Sequence, residues 1–466
     1  MTDNIIKSAW HKQYADFADQ FTKIKRIKTV ATAFNTNIDA VIRLDGQKIT
    51  ALAQAAHITL NDLNDPRRCI HSPKDVVRGL IKCFTQGIAE EWTTDNAAIY
   101  PWLKSQIGYD RLQMGGQAGI MANLLSLFDI PEVIVHTASH PTLQAEQFLK
   151  NNNIRAFDQH GKSMPAHLIN RSADQPLIHW IIEFSKDDHL TLDQTELTCP
   201  KSNRFIATYD PANLVLQTDP FFIKHIKSTG FNYLILSGYH NLSAANNGRA
   251  IIEQSADVLR DLKASAPQGI IHLELASTQD KQIRRDILEK IAPFVDSIGL
   301  NEREMLDFIE VIDQDLYQEI STQKITSLSM LKALRRLKKA VLTPRIQLHM
   351  YGLYMTLLDS NFPLSAPKNI NGMLLASVVA ASKAALGALQ TAKDLTYAQN
   401  MDISDISVAE MNALAEFLDT PEFYRTGITE LDGQILTAVP VILIDKPKTL
   451  VGMGDTISCV SLIGAQ

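Results

Sequence analysis

Between residues 233 and 349 short apolar runs alternate with amphipathic ones, and this alternation limits the fold more than any other feature. Tyr233-Leu234-Ile235-Leu236-Ser237-Gly238 reads as a strand and 245–265 as a helix; 270–275 reads as a strand and 279–291 as a helix. Ser297-Ile298-Gly299-Leu300-Asn301 and Arg345-Ile346-Gln347-Leu348-His349 continue the series. Strands that alternate with helices bury their apolar faces as a parallel sheet flanked by helices. Earlier in the chain, 29–34 and 133–136 read as buried strands, and 5–26, 74–85 and 120–128 as helices. The predicted class is α/β.

Residues 155–210 differ. They hold short strand-like runs such as Leu177-Ile178-His179-Trp180-Ile181-Ile182-Glu183-Phe184, with an antiparallel, sheet-rich character. Together with 45–110 they predict a second, smaller unit. A chain of 466 residues exceeds what one ordinary core fills, which also calls for two lobes. The formal net charge of -6 offers no basic excess for nucleic acid or an anionic membrane. Cys69, Cys83, Cys199 and Cys459 are scattered without a C-x-x-C pair, so they are expected to be free thiols in a reducing cytoplasm. The first 26 residues are too polar for a signal peptide, and no apolar run in the sequence approaches the length of a membrane span.

Chemistry concentrates in Val451-Gly452-Met453-Gly454-Asp455-Thr456-Ile457-Ser458. Val441-Ile442-Leu443-Ile444 before it reads as a buried strand, and 456–462 as a helix. Strand, glycine loop and helix N-terminus together hold an anion: glycines admit backbone N–H groups to the charge, and the helix dipole favours it. Asp455 follows where a base would take a proton from an attacking hydroxyl. Phosphoryl transfer to an alcohol is the chemistry suggested; a tight turn with an Asp cap is the plainer reading of the same residues.

Four further segments stand at strand ends or helix starts: Asn35-Thr36-Asn37-Ile38-Asp39, Gly115-Gly116-Gln117-Ala118-Gly119, His272-Leu273-Glu274, and Gly299-Leu300-Asn301-Glu302-Arg303-Glu304. Amide and carboxylate together at Asn37 and Asp39 suit sugar hydroxyls, which need donors and acceptors at once. His272 and Glu274 share a strand face, but no third residue completes a zinc set. Taken in order, the five segments closely resemble the ADP-dependent sugar kinases of the ribokinase-like superfamily, which comprise glucokinases and 6-phosphofructokinases.

That resemblance implies a three-layer α/β/α domain over 1–43, 111–160 and 212–466. A mostly β lid is expected over 44–110 and 161–211, with sugar bound between the two. It implies sugar contacts at Asn35, Asn37, Asp39, Gly115, Gly116 and Gln117. Catalysis is expected from Asp455, with the N–H groups of Gly452, Met453 and Gly454 on the transferred phosphoryl. ADP is the implied donor, with Asn301 and Gly454 near its phosphates, and His349 and Val441 beside adenine. Mg²⁺ is implied near Glu274, Glu304 and Asp455, since magnesium keeps several waters and few direct protein ligands. Asn203-Arg204-Phe205-Ile206 is similar to a family segment whose arginine contacts a sugar phosphate, so Arg204 is the expected cation, with Arg171 a second and Lys162 a weaker candidate. Glucose-preferring members carry a lid glutamate; the corresponding stretch is taken as 72–79, where Asp75 is shorter than Glu. The expected substrate is therefore fructose 6-phosphate, converted with ADP to fructose 1,6-bisphosphate and AMP. Glucose use, both sugars, ATP as donor, or a non-catalytic sugar or nucleotide sensor are the alternatives. A cytoplasmic monomer or small homo-oligomer, without nucleic-acid or membrane partners, is expected.

Overall fold

Seven neighbouring strands run parallel, in the spatial order Arg345–Met350, Ser297–Leu300, Ile270–Glu274, Tyr233–Leu236, Thr29–Ala33, Glu132–Val135 and Ile154–Phe157. This is a computed structural model, and it describes residues 2–15, 18–94, 96–420 and 422–466. Antiparallel strands extend both edges: Leu353–Leu358, Gln434–Pro440 and Ile428–Leu431 on one side, Ser163–Pro165 on the other. The central strands are apolar and buried because helices cover both faces, as a parallel sheet requires. Gly248–Ser265, Glu302–Ile312 and Ser327–Ala340 are among the covering helices.

A second sheet has the order Glu90–Thr94, Asn203–Tyr209, Ile178–Phe184, Asn37–Arg43, Arg111–Gly115, with mixed rather than purely antiparallel pairing. It has its own core, built from residues such as Trp92, Trp180, Phe84, Phe184 and Phe205 around the helix Pro73–Gln86. Strand pairing divides the chain differently from the expected boundaries. Asn37–Arg43 and Arg111–Gly115 belong to the smaller sheet, and Ser163–Pro165 to the larger. The polar cluster at 35–39 therefore marks the first of the chain's crossings between the two units.

Two helices fix the C-terminal motif. Ala366–Leu386 lies against Met453–Ile463, which is buried along nearly all its length. The first is long and apolar enough to span a membrane by composition, unlike the sequence expectation, but 78% of its most apolar window is buried inside the fold. It is a core helix. Gly372 lets the pair approach: a Cβ there would lie 2.0 Å from the Ser461 carbonyl oxygen. The expected strand at 441–444 is absent, because the strand ends at Pro440. Beyond it the backbone bonds to helices instead: Ile442 N–H donates to Ser377 Oγ, and the Val441 carbonyl accepts from Ser407 Oγ.

Gly372→Ala should cost about 1–3 kcal/mol of stability, the usual range for overpacking a close contact. Urea unfolding of the purified variant measures it; an unchanged midpoint and slope would mean that the two helices are free to separate.

Candidate functional site

Asn35, Asn37, Asp39, Gly116, Gln117 and Asp455 line one cavity of about 250 Å³. It lies where the two sheets meet. Asn37 and Asp39 point from one strand of the smaller sheet, and Asn37 Nδ2 donates to Asp39 Oδ1 at 3.1 Å. Gly116 forms the adjoining wall, and Gly115, packed against Asp39 beside it, lies outside the cavity lining. A Cβ on Gly115 would lie 2.2 Å from Asp39 Oδ1, and one on Gly116 would lie 2.6 Å from the Asn35 carbonyl oxygen. Gly116 also has φ +71°, a conformation that disfavours side chains. The amide oxygens Asn35 Oδ1, Asn37 Oδ1 and Gln117 Oε1 are buried without hydrogen-bond partners. An unpaired buried acceptor costs about 1–3 kcal/mol, and hydroxyl donors from a ligand relieve that cost.

Asp455 enters the same cavity from the first turn of Met453–Ile463. This helix begins at Met453, earlier than the sequence indicated, with Gly452 at φ +62° as the turn residue. Its first N–H groups have no intrahelical acceptors, which leaves an anion hole beside the carboxylate. Burial pushes the Asp455 carboxyl above its usual range, while Lys383 pulls it back.

Behind the anion hole the acids crowd. Asn301 caps Glu302–Ile312, and Glu304 closes a capping box: Asn301 N–H donates to Glu304 Oε2 at 2.7 Å, and Asn301 Nδ2 to Oε1 at 2.9 Å. Burial raises Glu304 to about 8, with Asp455 among the acids adding to the shift. Burial likewise raises Glu274 well above normal, and Glu304 and Asp455 add to it. Glu274 lies between His272 at 3.4 Å and His349 at 3.6 Å, and its Oε2 has no hydrogen-bond donor. Among the described residues no three such groups stand close enough to bind a metal directly. Crowded, destabilised carboxylates with a spare oxygen do fit a cation held through its waters.

The residues 28–464 match the profile of the ADP-specific phosphofructokinase/glucokinase conserved region. The chain belongs to this family. It is 27% identical to an ADP-specific phosphofructokinase of Methanosarcina acetivorans, over 96% of this chain and 95% of that protein. It is 28% identical to an ADP-dependent glucose/glucosamine kinase of Pyrococcus furiosus, over 98% of each. Among solved structures, the last common ancestor of ADP-dependent phosphofructokinases from Methanosarcinales superposes with a TM-score of 0.85 at 26% identity, covering 98% of each chain. An ADP-dependent kinase in complex with fructose-6-phosphate and ADPβS gives a TM-score of 0.82 at 26% identity, also over 98% of each. These findings agree with the family, the fold and the sugar-kinase activity that the five motifs implied.

Within the family frame, the expected cations separate. Arg204 lines the cavity, is exposed, and has no ion-pair partner among the described residues. Arg171 is outside it: its guanidinium donates to the Thr137 carbonyl at 2.9 Å and pairs with Asp219 at 3.3 Å. Those bonds, all from Nη2, tie Arg171 to the large unit away from the cavity, while its Nε is buried without a hydrogen-bond partner. Lys162 also lies outside the cavity lining. Asp75 is equally committed. It accepts from the N–H groups of His71 and Ser72 and pairs with Arg78 at 3.1 Å, so it caps a helix. The lid acid that does line the cavity is Glu91, on the strand Glu90–Thr94, beside His179. His179 donates to Asp210 at 3.0 Å and lies 3.7 Å from Glu91. Burial alone would lower His179, but Asp210, Glu91 and Asp39 outweigh it and raise it to about 9. Sequence reading missed both residues, which meet only because Glu90–Thr94 and Ile178–Phe184 flank Asn203–Tyr209. His349 and Val441 are buried, and neither lines this cavity. His349 lies under Gly454, where a Cβ would be 3.0 Å from its Nε2.

Glu304 has a clear stability signature. A carboxyl whose folded pKa is raised stabilises the fold when protonated, so that contribution is full below the unfolded value of 4.5 and is lost as pH rises towards about 8. In a chelator, thermal stability should fall across this window, and Glu304→Gln should flatten the fall. Added Mg²⁺ should raise the melting temperature more at pH 8 than at pH 6. A melting temperature indifferent to Mg²⁺ at both pH values would remove the cation from this cluster.

Proposed function

We propose that the chain transfers the β-phosphoryl group of ADP to the 1-hydroxyl of fructose 6-phosphate, giving fructose 1,6-bisphosphate and AMP. One observation carries this reading. A base at a helix N-terminus, three unpartnered amide oxygens and an unpaired guanidinium converge on a single sugar-sized cavity. The phosphofructokinases among the relatives support it.

Asn35, Asn37, Asp39 and Gln117 bond the sugar hydroxyls, and Arg204 holds the 6-phosphate. We read the smaller sheet unit as a lid that excludes water from the cavity and so protects ADP from hydrolysis. Asp455 accepts the proton of the 1-hydroxyl as its oxygen bonds to the β-phosphorus. The bond from that phosphorus to the bridging oxygen breaks, and AMP leaves with the electron pair. The N–H groups of Gly452, Met453 and Gly454 stabilise charge on the moving phosphoryl. Glu304, Glu274 and Asp455 would hold Mg²⁺ through its water shell; the cation would neutralise polyphosphate charge. The four cysteines are unpaired, which suits a reducing compartment such as the cytoplasm.

Glu91 favours a second activity. A lid carboxylate beside His179 offers an acceptor to a hydroxyl of unphosphorylated glucose, and glucose kinases are among the relatives. We therefore infer that the same cavity also accepts glucose, and we retain fructose 6-phosphate as the better substrate because of Arg204.

Asp455→Asn should lower turnover about 100- to 10,000-fold, the range of general acid–base catalysis, with sugar binding retained. Steady-state assays coupled to AMP formation measure this; near-normal turnover would remove Asp455 as the base. Arg204→Ala should weaken fructose 6-phosphate about 10- to 100-fold, for loss of a charge-assisted bond, and barely affect glucose. Glu91→Ala should do the reverse. Run with ADP and ATP against both sugars, this pair tests donor and acceptor together. Preference for ATP, or equal losses on both sugars in both variants, would contradict the assignment.

A further inference from the structure

Lys383 stands behind the anion hole, near the C-terminal end of Ala366–Leu386. Its ammonium donates to the Gly452 carbonyl oxygen at 3.0 Å and to Thr456 Oγ1 at 3.1 Å. Thr456 Oγ1 in turn donates to the same carbonyl at 2.7 Å. Lys383 is half-buried and has no carboxylate ion pair among the described residues, so two neutral oxygens hold its ammonium. Burial lowers its pKa, and the charge of Asp455 offsets part of that.

The geometry points to Lys383 as the positioning residue of the anion hole, anchoring the Gly452 carbonyl so that the Met453 N–H is aimed at the transferred phosphoryl group. The peptide joining Gly452 to Met453 is planar and trans, so its C=O and N–H point in opposite directions. A cation bonded to the carbonyl therefore fixes where the N–H points. It also polarises the peptide, and a polarised peptide is a stronger donor. Gly452 is in the left-handed region, where glycine has wide backbone freedom; its carbonyl already accepts the helix's first bond from the Thr456 N–H at 3.1 Å, and Lys383 adds the one charged donor to it. Substrate then adds a second negative charge to that of Asp455. Phosphoryl oxygens on one side of the peptide complement the ammonium on the other.

Lys383 also lines a separate cavity of about 660 Å³, which gives small molecules a route to it. This inference rests on the phosphoryl-transfer reading, so the wild-type protein is assayed first with ADP and each sugar. Absence of any sugar phosphorylation would overturn that reading and this one together. With an active wild type, Lys383→Ala should lower kcat on the order of 10- to 100-fold, less than loss of a donor that touches the oxyanion itself. The sugar KM should stay within about twofold, because Lys383 touches no sugar ligand. Ethylammonium, entering through the cavity, should restore several-fold of the lost kcat in a saturable manner and leave wild type unchanged. Lys383→Met keeps the chain length without the charge and should show the same kcat loss with a near-normal melting temperature. A kcat within twofold of wild type in either folded variant would overturn the assignment. So would parallel losses in kcat and sugar affinity without amine rescue, or failure of both variants to fold, since each marks a structural role.

Discussion

Burial of the helix Met453–Ile463 is the constraint on which the site depends. It is packed between the sheet and Ala366–Leu386, with Gly372 placed against Ser461. Side chains cannot shift much in so dense a setting, so the helix has one position, and its first turn is delivered to the junction of the two sheets. Anion hole and base come with that turn. Asn37, Asp39 and Gly116 meet it there because Asn37–Arg43 starts the smaller sheet directly after the large-sheet strand Thr29–Ala33. The crossing at 34–37 is the first of four between the two sheets, and it brings the polar cluster to that turn.

Electrostatics at this junction are unfavourable without ligands. Glu274, Glu304 and Asp455 all have raised pKa values from burial, and each is raised further by a neighbour or restrained by a cation. On the sugar side, burial lifts Asp39 to about 6 despite His179. A folded protein tolerates such groups when binding relieves them, and functional sites collect them for that reason. The same logic applies to the orphan amide oxygens: in the proposed reaction, sugar hydroxyls and a hydrated cation would supply what the chain withholds.

Much of this was legible in the sequence. Periodic strands and helices specify the large sheet, since apolar β runs alternating with helices have few other solutions. Asn37, Asp39, Gly116, Gln117, Arg204 and Asp455 carry local signals and share one cavity. Other features were not legible, for physical reasons. Glu91 and His179 meet only because Glu90–Thr94 and Ile178–Phe184 flank Asn203–Tyr209, a sheet order that no local pattern encodes. Asp75 and Arg171 carry the right charge, but capping bonds occupy the first and the second lies outside the cavity, bonded to Thr137 and Asp219. Val441–Ile444 is apolar enough for a strand, yet Pro440 and the hydroxyls of Ser377 and Ser407 take the backbone elsewhere. Lys383 reaches the anion hole across 69 residues of sequence, where no spacing rule applies.

The central claim is a specific bond exchange: the β-phosphorus of ADP passes to a sugar oxygen. Phosphorus-31 NMR of the purified protein with ADP, Mg²⁺ and fructose 6-phosphate observes it directly. The account predicts that ADP signals give way to AMP and, in equal amount, to a second sugar phosphomonoester, with little inorganic phosphate. Inorganic phosphate rising in step with AMP, or ADP left intact while ATP is consumed, would contradict it.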